Sequence, residues 1–317
     1  MTERIAAAIG NFDGVHVGHQ SLLAAVRHFA EDLGCAPGVV VFDPHPRRYF
    51  RRDDPPFLLT SFAERERLLK EEGMEHVIAL TFDKDLASLA PEDFVKATLK
   101  EHLRLSGVMV GTDFRFGADR AGDASALSEL CKQYGISFKS FTPVLDQLAH
   151  REKNEAIKEG ADLEKIGSTG IRNALVAGDM ARAAAMLGRP WRVSGDVQKG
   201  QQLGRTLNFP TANVTLGELI SPRVGVYAVR THVDGQTFDA VANYGRRPTV
   251  GGADLLLEVH LFDFEGDLYG KPIDVDFVSF IRPEMKFDGL DDLKAQIQKD
   301  CDTARHRLSV VSSTIAR

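Results

Sequence analysis

Hydrophobic positions along the chain follow two different periods, one in each half. Ile5-Ala6-Ala7-Ala8-Ile9 is a short apolar run that reads as a buried first strand. Leu22, Leu23, Val26, Phe29 and Leu33 then recur at helical spacing and predict an amphipathic helix. Gly38-Val39-Val40-Val41-Phe42 reads as a second buried strand, stopped by the prolines of Asp43-Pro44-His45-Pro46. Next come a helix carrying Leu68 and Leu69 that Ser61 could cap, a strand near His76 to Phe82, a helix from about Pro91 and an apolar strand, Gly107-Val108-Met109-Val110. Strands alternating with helices predict a doubly wound parallel sheet with helices on both faces.

The texture changes near Leu187-Gly188-Arg189-Pro190, which reads as a linker and divides the chain into domains 1–186 and 187–317. Beyond it short alternating segments and glycines dominate, as in a small antiparallel barrel. Within Leu255–Phe264, Leu257, Val259 and Leu261 share one face, and Glu258 and His260 share the other. Leu290, Leu293, Ile297, Cys301, Ala304 and Leu308 fall on one stripe of a terminal helix, expected to pack against the barrel. The fold class expected is α/β followed by β.

Composition narrows the function classes. A net charge of −6 over 317 residues argues against nucleic acid as a main partner. Cys35, Cys131 and Cys301 are far apart and lack a C-x-x-C spacing, which suggests a reducing compartment and no metal cluster. No apolar run approaches the ~18 residues of a membrane helix, and the first residues do not resemble a signal peptide, so a cytoplasmic location without membrane association is expected. There is no G-x-x-x-x-G-K-[ST], so any ATP use is not of the P-loop kind.

Candidate chemistry clusters where elements meet. Gly10-Asn11-Phe12-Asp13-Gly14-Val15-His16-Val17-Gly18-His19 joins the first strand to the first helix, the place where open α/β sheets bind ligands. The helix dipole favours an anion there, Gly14 and Gly18 allow close backbone approach, and His16 and His19 lean over one spot. Asp113 lies in a similar loop, Gly111–Gly117, after the strand at Val108. Arg47, Arg48, Arg51 and Arg52 form either a solvated loop or an anion-binding lid. A charged stretch from about Ala149 to Glu164 reads as a solvated excursion. Ser168 and Thr169 either cap a helix or, with Arg172 one turn on, form a second phosphate cradle. Thr211 and Asn213 would face the same side of an extended chain and offer hard oxygens that suit Mg²⁺ borne on phosphates, although a plain turn is the simpler reading. Glu258 is either on the wet side of its strand or a general base aimed into a site.

Together these segments resemble the prokaryotic bifunctional riboflavin kinase/FMN adenylyltransferases. The resemblance covers nearly the full length: GNFDGVHVGH, FDPHP, GTDFRFG, STGIR, LGRP, GRTLNFPTAN, VANYGRRPT, EVHLFDFEGDLYG and RPEMKF occur in the family's order. It implies a Rossmann-like H-x-G-H nucleotidyltransferase domain, then a riboflavin-kinase-like barrel with its C-terminal helix. The barrel would phosphorylate riboflavin with ATP and Mg²⁺ to give FMN. The first domain would adenylylate FMN with a second ATP, giving FAD and pyrophosphate. In the barrel, the resemblance implies Glu258 as base, Thr211 and Asn213 toward the metal, and Arg282 and Glu284 closing over flavin. It places Gly200, Gly204 and Arg205 in the phosphate loop. In the first domain it implies His16 and His19 as catalytic, with Gly10, Phe12, Asp13, Gly14, Gly18 and Asp113 around the nucleotide. Ser168, Thr169 and Arg172 would hold the pyrophosphate. A nucleotidyltransferase for another acceptor, fused to an unrelated barrel, or a flavin sensor without turnover are the rivals; the P-T-A-N and E-V-H segments speak for a working kinase.

Overall fold

The computed structural model describes residues 4–142, 167–198, 209–249 and 252–315. The chain divides into two compact units, one of Met1–Asp54 with Phe62–Ile166, the other of Pro55–Ser61 with Gly167–Arg317. The units therefore place Gly167–Leu187 with the barrel, ahead of the 186/187 boundary expected from the sequence. Gly200, Gly204, Arg205 and the charged excursion lie outside the described residues.

In the first unit the strands are β1 (Ile5–Ile9), β2 (Ala36–Asp43), β3 (His76–Thr81), β4 (Gly107–Gly111) and β5 (Ser137–Phe141). They form a parallel sheet in the order β3-β2-β1-β4-β5. Both faces are covered. Ala6 and Ala8 of β1, with Val39 and Val41, pack under α1 (Val17–Leu33) through Leu22, Leu23, Val26 and Phe29. Ala7 and Ile9, with Val40, Val108 and Val110, pack against Phe94, Val95, Leu99 and Leu127 on the other side. Helix α1 ends at Gly34, whose φ of 60° lets its N–H reach back to the last turn. Because β1 lies between β2 and β4, the loop after β1 sits at the point where the strand order reverses.

The second unit opens with helices α2 (Ser168–Ala177) and α3 (Met180–Leu187), turned at Gly178 with φ 81°. Six antiparallel strands follow: β6 (Trp191–Asp196), β7 (Ala212–Val214), β8 (Gly225–Val233), β9 (Gln236–Thr249), β10 (Gly252–Leu261) and β11 (Pro272–Arg282). Their order is β6-β11-β8-β9-β10-β7, and an antiparallel bridge from Gln198 to Asn213 joins the two ends into a barrel. Trp191, Tyr227 and Phe277 form its aromatic core, with centroids 4.9 and 5.0 Å apart. The segment Pro55–Ser61 is built into this unit. Leu58 bridges Leu219, Ile220 N–H donates to the Leu58 carbonyl at 2.8 Å, and the buried indole of Trp191 donates to the Leu59 carbonyl at 2.8 Å.

Helix α4 (Leu290–Ile315) packs on the barrel through Cys301, Ala304 and Leu308. Leu290 departs from the expected stripe. It is 69% exposed, because it begins the helix before the barrel wall is reached. The described cysteines are free, and burial pushes the Cys131 thiol up to about 12 and, with Asp300 nearby, that of Cys301 up to about 11. Neither thiol is ionised at neutral pH, so neither is a nucleophile.

Candidate active site

The loop after β1 is the first candidate. Phe12 and Val15 are buried and hold φ of 51° and 39°, a left-handed backbone that bulky and β-branched side chains avoid. Gly14, with φ 86°, takes the same region without a Cβ to clash. Stored strain of this kind collects at functional sites. His16 is the N-cap of α1 rather than a member of its first turn: its Nδ1 accepts from the His19 backbone N–H at 3.3 Å. That acceptance leaves Nε2 as the donor nitrogen of the neutral ring. The His16 and His19 rings stack at 3.6 Å and 15°, so the sequence expectation that they meet over one spot is met. Phe12 closes the other side of His19 at 5.0 Å. Burial, then the His16 ring, holds the His19 imidazole well below its ordinary 6.5, and its Nδ1 has no hydrogen-bond partner among the described residues. His19 is thus a neutral ring at pH 7, a donor through N–H rather than a cation.

Sequence reasoning missed Arg65. It is 4% exposed and donates from Nη1 to the Asn11 carbonyl at 3.0 Å and from Nη2 to the Phe42 carbonyl at 3.3 Å. Burial lowers its basicity, and the carboxylates of Asp13 and Asp43 oppose that shift. No local motif marks Arg65; its partners are remote in the chain.

Other expected residues of the first unit are less enclosed. Asp113 is exposed in the turn after β4 and lies over Gly111, where an added Cβ would come 3.2 Å from its Oδ1. Two of the four clustered arginines are tied to their own loop: Arg47 pairs with Asp54 at 2.9 Å, and Arg48 donates to the Arg52 and Asp54 carbonyls. Ser168 and Thr169 open α2 as its first helical residues. The N-cap is Gly167, without a side-chain cap, which corrects the reading of either hydroxyl as the cap. Arg172, in the second unit, donates from Nε to the Phe57 carbonyl at 2.7 Å and stacks over that ring.

The barrel holds a cavity of about 710 Å³, within the range of small-molecule sites. Thr211, Asn213, Glu258, Arg282 and Glu284 all line it. Strand register explains the convergence. Asn213 pairs with Glu258, Glu258 with Asn243, Asn243 with Val226, and Val226 with Arg282. One rung around the barrel wall therefore carries Asn213, Glu258, Asn243, Val226 and Arg282 on successive strands. Glu258 lines the cavity, on the sheet face opposite the buried Leu257 and Val259. Asn213 is 5% exposed, and among the described residues its Oδ1 has no hydrogen-bond partner; it lines the same cavity as Thr211.

The far wall comes from α4. Asp300, 3% exposed, takes Arg282 in a two-point ion pair, Nε to Oδ1 at 2.9 Å and Nη2 to Oδ2 at 2.7 Å. Gln296 donates to the same carboxylate at 2.9 Å. Two residues on, the Glu284 carboxylate lies against Gly245, where a Cβ would stand only 1.9 Å from Oε1. The segment after β11 is pinned on both sides. Asn243, Gly245 and Asp300 were not singled out from the sequence, since strand pairing and helix docking bring them in from far along the chain.

A family model described as FAD synthetase matches residues 1–152, and one described as riboflavin kinase matches residues 187–308. The bifunctional riboflavin kinase/FMN adenylyltransferase of Haemophilus influenzae is 39% identical over 301 residues, covering 95% of this chain and 93% of its own. That of Escherichia coli K12 is 41% identical over 304 residues, covering 96% and 92%. A solved structure from Streptococcus pneumoniae, described as a macrolide-efflux protein, superposes with a TM-score of 0.81 at 31% identity, covering 96% of this chain and 95% of that one. Among the described residues no helix is long and apolar enough to cross a membrane.

Proposed function

We infer function from this premise: the chain belongs to the bifunctional riboflavin kinase/FMN adenylyltransferase family. It is an enzyme of FMN and FAD biosynthesis, phosphorylating riboflavin with ATP and adenylylating the FMN formed. The functional division proposed is adenylyl transfer in 1–186 and phosphoryl transfer in 187–317. The observation that carries the residue assignments is the single barrel rung on which Asn213, Glu258 and Arg282 converge.

In the barrel, riboflavin enters the cavity with its 5′-hydroxyl toward Glu258. The carboxylate accepts the hydroxyl proton as the oxygen attacks the γ-phosphorus, and ADP leaves. The orphaned Asn213 Oδ1 and the neighbouring Thr211 hydroxyl fit a divalent cation borne on ATP, since both are neutral and the phosphates supply the negative charge. Such a Mg²⁺ supplies charge neutralisation for the transferring phosphoryl group. Arg282 and Glu284 position the flavin side, held by Asp300 and Gly245.

In the first unit, an FMN phosphate oxygen attacks the α-phosphorus of ATP and pyrophosphate leaves. The nucleophile is already anionic, so no strong base is needed. The N–H donors of His16 and His19, with the amino end of α1, stabilise the charge that builds on the triphosphate. Gly10, Phe12, Asp13, Gly14 and Gly18 shape that loop, and Asp113 stands at the neighbouring strand end. The pyrophosphate role that the resemblance implies for Ser168, Thr169 and Arg172 falls on residues of the second unit. A cytoplasmic location fits an enzyme whose substrates are small molecules.

The test supplies purified protein with riboflavin, ATP and Mg²⁺ and separates the flavins by chromatography. FMN should appear first and FAD after it. FMN accumulating without FAD removes the N-terminal assignment, and omission of Mg²⁺ without effect removes the metal role of Thr211 and Asn213.

A further inference from the structure

Arg65 is costly to bury. Taking a guanidinium out of water costs several kcal/mol unless its partners repay it. Leu68 and Leu69 already supply the buried apolar face of its helix, Phe62–Glu71, so packing alone does not call for an arginine. What the side chain reaches is specific. The two terminal nitrogens take the carbonyls of Asn11, just beyond β1, and Phe42, near the end of β2. The carboxylate of Asp13, 2% exposed, and that of Asp43 compensate its charge. Asn11 and Asp13 belong to the loop that ends at His16. Phe12 and Val15 in that loop hold left-handed backbones, and such conformations persist only when the surroundings over-determine them. The loop's ties include Gly10 N–H to the Val40 carbonyl and Val15 N–H to the Phe12 carbonyl, both at 3.1 Å. The Arg65 fork adds a restraint on the loop from a separate helix.

We propose that Arg65 is a positioning residue for adenylyl transfer: its fork clamps the strained loop of residues 11–16 to the end of β2 and so fixes where His16 and His19 meet the triphosphate. The proposal rests on His16 and His19 being the pair that handles ATP. A planar fork with two donors at fixed spacing does this, and an ammonium on a flexible stem does not.

The experiment uses the full chain, whose riboflavin kinase step serves as an internal control. In Arg65→Ala, kcat for FMN to FAD should fall about 30- to 100-fold, the scale of a misplacement near 1 Å, with KM for ATP changed less than about threefold. Guanidinium ion at tens of millimolar should restore part of kcat, and methylammonium should not. Arg65→Lys should lie between wild type and Arg65→Ala. Undiminished kcat, a loss confined to KM, or a kcat loss that guanidinium does not relieve overturns the proposal. If Arg65→Ala also loses the kinase step and so fails to fold, Arg65→Lys decides: wild-type kcat overturns the clamp, and reduced kcat with an intact kinase step upholds it. His19→Ala with unchanged adenylyl transfer would instead sink the histidine reading beneath it.

Discussion

Replacing Gly245 by alanine tests whether the Glu284 carboxylate stands where phosphoryl transfer needs it. An added Cβ would lie 1.9 Å from Glu284 Oε1, 2.9 Å from its Cδ and 3.3 Å from Asn243 Nδ2, whereas ordinary contact begins at 3.4 Å. The difference, 3.4 − 1.9, requires the carboxylate to retreat by about 1.5 Å. Glu284 is exposed and can turn toward solvent, so the retreat costs little stability. Alanine also narrows the unfolded ensemble, a gain of about 0.4–1 kcal/mol at a compatible position. Folding should therefore be preserved, with Tm within a few degrees of wild type. Activity should not be preserved. Displacing a substrate-side group by more than 1 Å costs up to about 100-fold, or about 2.7 kcal/mol of barrier. The assay follows FMN from riboflavin, and separately FAD from FMN, by chromatography. Gly245→Ala should lower kcat/KM of the first step by about 10- to 100-fold and leave the second unchanged. On a Glu284→Ala background the same change should add little, because the colliding carboxylate is gone. A wild-type first step, equal loss of both steps, or full additivity in the double variant would refute the reasoning.

Three further outcomes follow from the same geometry. Glu258→Gln keeps the shape but not the base, so FMN formation should fall about 10²- to 10⁴-fold while FMN-to-FAD conversion persists; equal loss of both would mean a folding defect. Asp300→Asn removes half of the ion pair that holds Arg282, and should cost about 1–3 kcal/mol of stability by denaturant titration and raise KM for riboflavin; unchanged KM would show that the pair does not position the flavin side. Burial and His16 hold His19 below 6.5, so the native ring stays neutral where the unfolded one protonates. The unfolded state then binds more protons as pH falls below about 6.5, and this contribution to stability, fully present above that pH, is lost on acidification. A proton NMR titration of the ligand-free protein that gives His19 a midpoint at or above 6.5 contradicts it.

The sequence exposed what is local and hid what is paired at a distance. The glycine-flanked histidines, the P-T-A-N segment and the alternation around Glu258 each lie within ten residues, where periodicity and turn chemistry speak directly. Which surroundings Glu258 meets was undecided, because alternation separates two faces without saying what covers each. Leu257 and Val259 take the face of the barrel core, and Glu258 shares with Asn213 and Asn243 the opposite face, which lines the cavity beneath α4; that arrangement involves three strands and a helix at once. Asp300 and Gly245 were invisible for the same reason. The edge strand β5, Ser-Phe-Lys-Ser-Phe, escaped notice because only one side of it is covered and its polar residues mimic a loop. Leu290 misled in the opposite sense, since helical spacing gives a stripe but not where the stripe meets its neighbour.

The loan of Pro55–Ser61 to the barrel changes how the two enzymes can be separated. The polypeptide passes between its compact bodies at 54/55, at 61/62 and again at 166/167, so three threads join them. A single scission, by protease or by gene splitting, cannot separate the two compact units intact. A barrel fragment starting at 187 would forfeit the Leu59 acceptor of the Trp191 indole, the Leu58–Leu219 bridge and both helices of 168–187. The stranded indole N–H alone would cost about 1–3 kcal/mol. A lineage that evolved a free-standing kinase from this architecture would first have to grow a replacement for the borrowed stretch.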